Sequence, residues 1–204
     1  AKAKHFSQMG ALFVLMQDWP RAQESFLKAK ALDNADVPAN YFLAVLAQQQ
    51  QGDYAQAITY LRDSADYSSS ADKQIQVSYL QSKLGQQDAS FQTISRAYKQ
   101  FKPDNQVSYL YAVALYERAR YKTAARILAD LVEKLPDNQD VRLQYAYTME
   151  AQKKYALMEQ QISVLLEQNP QNAAALNLWA YSLALRNTRL EEAGEYIARA
   201  LAVE

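Results

Sequence analysis

Small and apolar positions recur along this chain at matching places, with a basic step of 34 residues. The clearest series consists of small residues, and its members are Gly10, Ala44, Ser78, Ala112, Ala146 and Ala180. A second series follows, whose members are Ala22, Ala57, Ser90, Ala124, Met158 and Ala193, and four residues after each come Phe26, Leu61, Ile94, Leu128, Ile162 and Ile197. Because residues four apart share one face of a helix, the pattern predicts a stack of helix pairs.

The period divides the chain into about six repeats, which we expect to form a single array over 1–204. Their approximate ranges are 3–36, 37–70, 71–104, 105–138, 139–172 and 173–204. The third repeat fits least well, since Gln81 stands where the other repeats place an apolar residue. We therefore expect this repeat to be locally the least stable. The chain begins with Ala1 and ends at Glu204, where a repeat would normally continue, so we expect a piece of a longer protein.

Composition supports long helices and argues against several classes of partner. Half of the residues are hydrophobic, with only 4 Gly and 5 Pro. The 22 basic and 22 acidic residues cancel, which argues against nucleic-acid binding and against a polybasic membrane patch. No apolar run approaches the roughly 18 residues of a membrane helix, so no direct membrane insertion is expected. The absence of cysteine excludes disulfides and thiolate zinc sites, and it is compatible with both the cytoplasm and a bacterial periplasm or envelope.

Residues that could carry chemistry are few and scattered. His5 is the one histidine, and no nucleophile, base or metal partner accompanies it in the sequence. The four glycines are far apart, so no phosphate-cradling loop is present. Glu191 and Glu192 fall in the first turn of a predicted helix, where negative charge suits the helix dipole. We therefore predict a protein that is not an enzyme, with no catalytic residues, no metal site and no cofactor.

The repeats resemble the tetratricopeptide repeat family. The resemblance rests on the small residue of each first helix, on Gly52-Asp53-Tyr54 at a turn, and on the closing prolines Pro136 and Pro170. It implies an all-α, right-handed solenoid of about six helix-turn-helix repeats with a concave groove lined by the first helices. It also implies a scaffold that holds a protein or peptide partner. The segments 177–183 and 189–193 are, in addition, loosely similar to repeat segments of bacterial envelope lipoproteins.

The same resemblance predicts which side chains face the groove, because the fifth, sixth and ninth residues of such repeats usually point inward. The predicted groove residues, with Tyr116 added, are Tyr41, Phe42, Ile75, Gln76, Tyr79, Tyr109, Val113, Tyr116, Leu143, Gln144, Tyr147, Asn177 and Tyr181. The residue types alternate with a two-repeat period over the central four repeats. Tyr and Gln offer contact area and hydrogen bonds to an extended apolar partner. Alternatively, Tyr41, Tyr109 and Tyr116 fill the scaffold, as is common in the family.

Two other functions are compatible with the sequence. The chain can be a structural or self-assembling module, since Leu190, Ile197 and Leu201 would leave an apolar face on the last repeat that a second copy could cover in a homodimer. It can also be an accessory interaction domain of a larger enzyme or envelope assembly. The identity of the partner is not encoded in any motif of the sequence.

Overall fold

The computed structural model describes residues 1–50 and 52–203, and these residues are helical almost throughout. The helices, in chain order, are α1 Lys2–Leu15, α2 Trp19–Leu32, α3 Val37–Gln49, α4 Tyr54–Asp63, α5 Ala71–Lys83, α6 Gln87–Gln100, α7 Asn105–Glu117, α8 Tyr121–Lys134, α9 Gln139–Ala151, α10 Tyr155–Gln168, α11 Ala173–Leu185 and α12 Leu190–Leu201. A short 3₁₀ turn spans Tyr67–Ser69. The predicted all-α fold of helix pairs is confirmed. The odd-numbered helices are the first helices of the repeats, and the even-numbered helices are the second helices.

Polar caps set the starts of the first helices. Five of these helices begin directly after a residue whose side chain accepts the backbone N–H three positions on, at 2.8–3.2 Å, and these caps are Asp36, Ser70, Asp104, Asn138 and Asn172. Such a cap satisfies a backbone donor that has no partner inside the helix. The caps also recur every 34 residues, so they form a polar series in phase with the apolar one.

Each turn within a repeat contains a residue in the left-handed backbone region. These residues have φ between +50° and +73°, and they are Gln17, Gly52, Gly85, Ala119, Lys153 and Asn187. The left-handed step ends the first helix and lets the chain reverse into the second helix. Glycine adopts this conformation without strain. At the other residue types the Cβ atom lies too close to the backbone, so the conformation is less stable there.

The chain divides into two compact units, 1–101 and 102–204, and each contains three helix pairs. The small residues that recur every 34 positions are buried in both units. They are Gly10, Ala44, Ser78, Ala112, Ala146 and Ala180. Close approach of the paired helices is the reason for their small size. The assignment of all six repeats to a single array stays a prediction.

Among the residues of the first unit that the structure describes, apolar clusters join neighbouring helices. One surrounds Phe26 and Leu43, and it joins helices α2 and α3. Another contains Leu61 and Leu80, and it joins α3, α4 and α5. Burying large side chains of this kind stabilises a fold by about 1.5–3 kcal/mol each. The first unit therefore depends on neighbouring repeats sharing each cluster, as expected for a repeat protein.

The third repeat replaces part of this apolar packing with buried polar pairs. Ser90 Oγ donates to the backbone oxygen of Ser78 at 2.8 Å, and Ser78 Oγ lies 3.1 Å from the backbone oxygen of Ser90. One turn further along, the buried side-chain amide of Gln81 lies 2.7 Å from Thr93 Oγ1. These hydrogen bonds explain how polar residues occupy positions that are apolar in other repeats. The expectation that this repeat is the least stable stays a prediction.

A buried lysine ties the second repeat to the third. Lys73 on α5 donates to Ser64 Oγ at 2.8 Å and forms an ion pair with Asp66, which also accepts from Ser64 at 2.6 Å. Burial raises the pKa of Asp66, but the hydrogen bonds from Lys73 and Ser64 outweigh this effect and hold the pKa below its ordinary value of 3.8. The ionised carboxylate is therefore the form that stabilises the folded unit.

We expect Asp66→Asn to destabilise the first unit at neutral pH and to weaken its sensitivity to acid. A carboxyl whose pKa is lowered by folding stabilises the fold above its unfolded pKa, near 3.8, and loses this contribution as pH falls through the lower folded value. The difference in unfolding free energy between wild type and variant should then shrink below about pH 4. Urea unfolding across a pH series measures it. Asp72→Asn, an exposed change on α5, is the control, and an equal effect from it would contradict the account.

The second unit has a more apolar interior. One cluster of this unit includes Met149, Met158, Ile162 and Leu165, and it joins α9, α10 and α11. Trp179 packs against this cluster and against the next one along, and its ring stacks on Tyr196 at a centroid distance of 4.7 Å. Trp179 therefore fills space between two apolar clusters of the second unit.

Candidate functional site

On α3, the predicted groove residues divide between the surface and the core. Tyr41 is exposed, and its ring meets Phe42 edge-on at 5.3 Å. Phe42 itself is half-buried and stacks on Phe26 at 4.8 Å, with the two rings 9° from parallel. Phe42 therefore fills the first cluster, whereas the Tyr41 ring remains available at the surface.

On α5, Tyr79 presents the largest exposed area of the candidates in the first unit. Its side chain is 51% exposed, compared with 46% for Tyr41. The ammonium group of Lys83, one turn later, lies 5.3 Å from the centre of the Tyr79 ring. Ile75 is half-buried, and Gln76 is held by a 3.3 Å hydrogen bond to Gln48 on α3. The α3 and α5 candidates thus lie on neighbouring first helices of one unit.

On α7, the candidates are half-buried. Tyr109 borders a recess of about 320 Å³ between the starts of α7 and α9, together with Asn105 and Asp140. Burial, and next the carboxylate of Asp140, raise the pKa of the Tyr109 hydroxyl. The hydroxyl therefore stays protonated and can donate a hydrogen bond. Val113 lies one turn further along, also half-buried.

Tyr116, near the end of α7, is the last predicted groove residue of this helix, and it lies beside another aromatic ring. Its ring centre lies 5.3 Å from that of Tyr121. Burial raises the pKa of Tyr116, with smaller contributions from Tyr121, Glu150 and Tyr147, which lie near it. A group of tyrosines beside one carboxylate is thus present at the end of α7.

The α9 candidates are more closely packed. Leu143 and Tyr147 both contact the cluster that contains Met149 and Ile162. Burial raises the pKa of the Tyr147 hydroxyl. The side-chain nitrogen of Gln144 is buried and has no hydrogen-bond partner among the residues that the structure describes. A buried amide nitrogen without a partner carries a desolvation cost, and its burial shields it from a partner at the surface.

On α11, both candidates reach the surface. Asn177 is exposed, and Tyr181 is 58% exposed. Tyr181 occupies the same place in its repeat as Tyr79 and Tyr147. Two of the three ninth-position tyrosines are therefore open to solvent, one in each unit.

Other kinds of site are poorly represented. Across residues 1–50 and 52–203, no three His, Asp or Glu side chains converge in a way that could hold a metal ion. None of the helices that the structure describes is both long enough and apolar enough to cross a bilayer. Tyr41, Tyr79 and Tyr181 are exposed aromatic residues on first helices, and they are the candidates for contact with a partner.

Comparison with known proteins shows which proteins this chain resembles in sequence and in fold. No protein-family model matches the chain. Over 166 residues the chain is 29% identical to the TPR repeat-containing protein PA4667 of Pseudomonas aeruginosa, a match that covers 79% of this chain and 28% of that protein. In fold it is similar to YrrB, a TPR protein with an unusual peptide-binding site, with a TM-score of 0.70. The two chains are 18% identical, and the match covers 89% of this chain and 93% of YrrB. The resemblance to the tetratricopeptide repeat (TPR) family is confirmed.

A second TPR-like structure agrees with this result. MamA of Desulfovibrio magneticus RS-1 gives a TM-score of 0.71 at 13% identity, over 80% of this chain and 92% of that chain. At such identities the structural likeness concerns the fold alone. The chain spans about a quarter of the length of PA4667, with 28% covered.

Proposed function

We propose that this TPR chain is a non-catalytic scaffold that binds a protein or peptide partner on its first helices. The observation that carries the proposal is the exposure of Tyr79 and Tyr181 at the same repeat position, on α5 and α11. Large exposed aromatic residues are costly to leave in water and are enriched at protein interfaces.

The chemistry of these positions fits a partner with apolar side chains and free backbone groups. Tyrosine loses only two rotatable bonds on binding, and its hydroxyl keeps a hydrogen bond at the interface. Gln76 lies about one turn before Tyr79, and an amide can donate to and accept from a partner's backbone. The description of YrrB as a peptide-binding TPR protein supports this class of partner.

Rigid placement of these side chains lowers the cost of binding. The first helices are capped, and their small residues are packed against the second helices, so the tyrosines are held on an ordered surface before the partner arrives. Each unit offers its own set, with Tyr41 and Tyr79 in the first and Tyr147 and Tyr181 in the second.

Affinity capture tests the proposal. Replacing Tyr79 and Tyr181 by Ala should remove a partner that the unaltered chain captures from a lysate of its source organism, because each exposed aromatic anchor can contribute about 2 kcal/mol. The matched control replaces Leu27 and Ile197 by Ala, since these residues are similarly exposed but lie on second helices. Mass spectrometry identifies the bound proteins. Retention of the partner by the Tyr variant, or its loss from the control, would contradict the proposal.

A second candidate function is self-association through α12. The observation in its favour is the exposure of Leu190, Ile197 and Leu201 along this helix. An apolar stripe of this kind can pair with the same stripe of another copy. Light scattering over a range of concentrations decides the matter, because a constant monomer mass excludes this candidate.

A further inference from the structure

A cleft in the second unit has a different chemistry from the tyrosine positions. It has a volume of about 590 Å³ and is lined by residues of α8, α9 and the start of α10. Tyr145 and the fully buried Met149 contribute from α9, and Ala125, Ala129 and Leu157 supply further apolar surface. None of these residues is among the predicted groove residues. At roughly 30 Å³ per water molecule, the cleft has room for several residues of a peptide.

Three cations surround this apolar surface. Lys122 and Arg126 lie one turn apart on α8, and Lys154 lies just before α10. All three are exposed, and none forms an ion pair with any part of the chain that the structure describes. The residues that line the cleft include no carboxylate, and Glu133 lies near Tyr145, whose pKa is raised by burial and then by this carboxylate. The cleft therefore combines an apolar surface with an excess of positive charge, although the whole chain is neutral.

We propose that this cleft binds an acidic, amphipathic segment of a partner protein. An apolar side chain of the segment enters over Tyr145 and Met149, and its flanking carboxylates meet Lys122, Arg126 and Lys154. Charged groups around an apolar centre are the usual arrangement of a protein interface, where the centre provides affinity and the charges provide orientation. A small anion alone would leave the apolar surface uncovered, and a neutral apolar segment would leave the three cations without partners.

Different residues of the second unit would then serve two interactions, although Tyr145 and Met149 of the cleft also lie on a first helix. The tyrosine positions lie on first helices, whereas Lys122, Arg126 and Leu157 lie on second helices. The cleft is therefore independent of the proposed function, and either can fail without the other.

Fluorescence anisotropy tests the inference with a short labelled probe peptide that has a central Phe flanked by Asp and Glu. We expect the double variant Lys122→Glu with Arg126→Glu to bind the probe at least about tenfold more weakly than the unaltered chain, which corresponds to ~1.4 kcal/mol. Binding should also weaken as salt is added, because exposed charges are screened. The matched control is Arg96→Glu with Lys99→Glu, two exposed cations of α6 in the other unit. An equal loss in this control would overturn the proposal.

Three further measurements separate the sources of binding. A probe with Asn and Gln in place of Asp and Glu should bind at least about tenfold more weakly, and equal binding would overturn the charge argument. Inorganic phosphate at matched ionic strength should not displace the acidic probe, and displacement would mean a site for small anions only. Tyr79→Ala with Tyr181→Ala should leave probe affinity unchanged, so that loss there would place the probe on the first helices instead.

Discussion

Replacing Phe26 by Ala should destabilise the first unit by about 3–5 kcal/mol, because it removes a fully buried ring and leaves a cavity. Phe26 packs with Leu43 in the cluster that joins α2 and α3, and it stacks on Phe42. The surrounding helices cannot close this space without moving Phe42. We therefore expect both the α1–α2 and the α2–α3 contacts to weaken together.

The two tryptophans of the chain make the measurement specific, since Trp19 lies in the first unit and Trp179 in the second. In a Trp179→Phe background, urea unfolding followed by fluorescence reports on the first unit through Trp19. The control is Leu27→Ala, one residue away but 44% exposed, which should cost less than about 1 kcal/mol. A loss below 1 kcal/mol for Phe26→Ala would show that this cluster does not hold the unit together.

Replacing Gly10 by Ala should cost about 1–3 kcal/mol, although alanine normally favours a helix. A Cβ atom at Gly10 would lie 2.6 Å from Cε1 and 2.7 Å from Cδ1 of Phe26. The Phe26 ring is fixed by its own packing, so it cannot move away freely. The same urea titration measures the change.

Gly194 provides the matched control for this prediction. It also lies within a helix, but a Cβ atom there would meet nothing within 4 Å. Gly194→Ala should therefore stabilise the chain by about 0.5–1 kcal/mol. In addition, Phe26→Leu should partly rescue Gly10→Ala, because contacting residues are energetically coupled. Stabilisation by Gly10→Ala would contradict the close packing of α1 on α2.

The fold could be predicted from the sequence because its main signals are local and repeated. A small residue between paired helices is required by distance, and the same requirement returns at Gly10, Ala112 and Ala146. The polar caps are equally regular, since Asp36, Asp104 and Asn172 recur in the same phase. They are not visible in the pattern of apolar positions. Reading the caps as helix starts would have located the first helices from the sequence alone.

The third repeat shows why apolar patterns alone are incomplete. Gln81 breaks the apolar pattern in the sequence, yet in the fold its amide forms a hydrogen bond with Thr93. Ser78 and Ser90 of the same repeat also form hydrogen bonds with each other. Such compensation joins residues twelve apart on two helices. It can be recognised only when the facing side chains are considered together.

The candidate surface could be predicted only in part. The repeat register indicates which residues lie on a first-helix stripe, but exposure depends on what packs beside each one. Tyr79 and Tyr181 reach solvent, whereas Tyr147 at the same register position contacts the core. The cation of Lys83 over the Tyr79 ring follows from its i, i+4 spacing and could have been noticed in the sequence. The cleft of the second unit could not, because it combines three helices.

Hydrogen–deuterium exchange on the complex with the captured partner tests the central claim most directly. If the partner binds the first helices, peptides covering α5 and α11 should gain protection around Tyr79 and Tyr181. Peptides covering the second helices α6 and α12 should exchange as they do in the free chain. Protection confined to α6 and α12, with α5 and α11 unchanged, would contradict the proposed function.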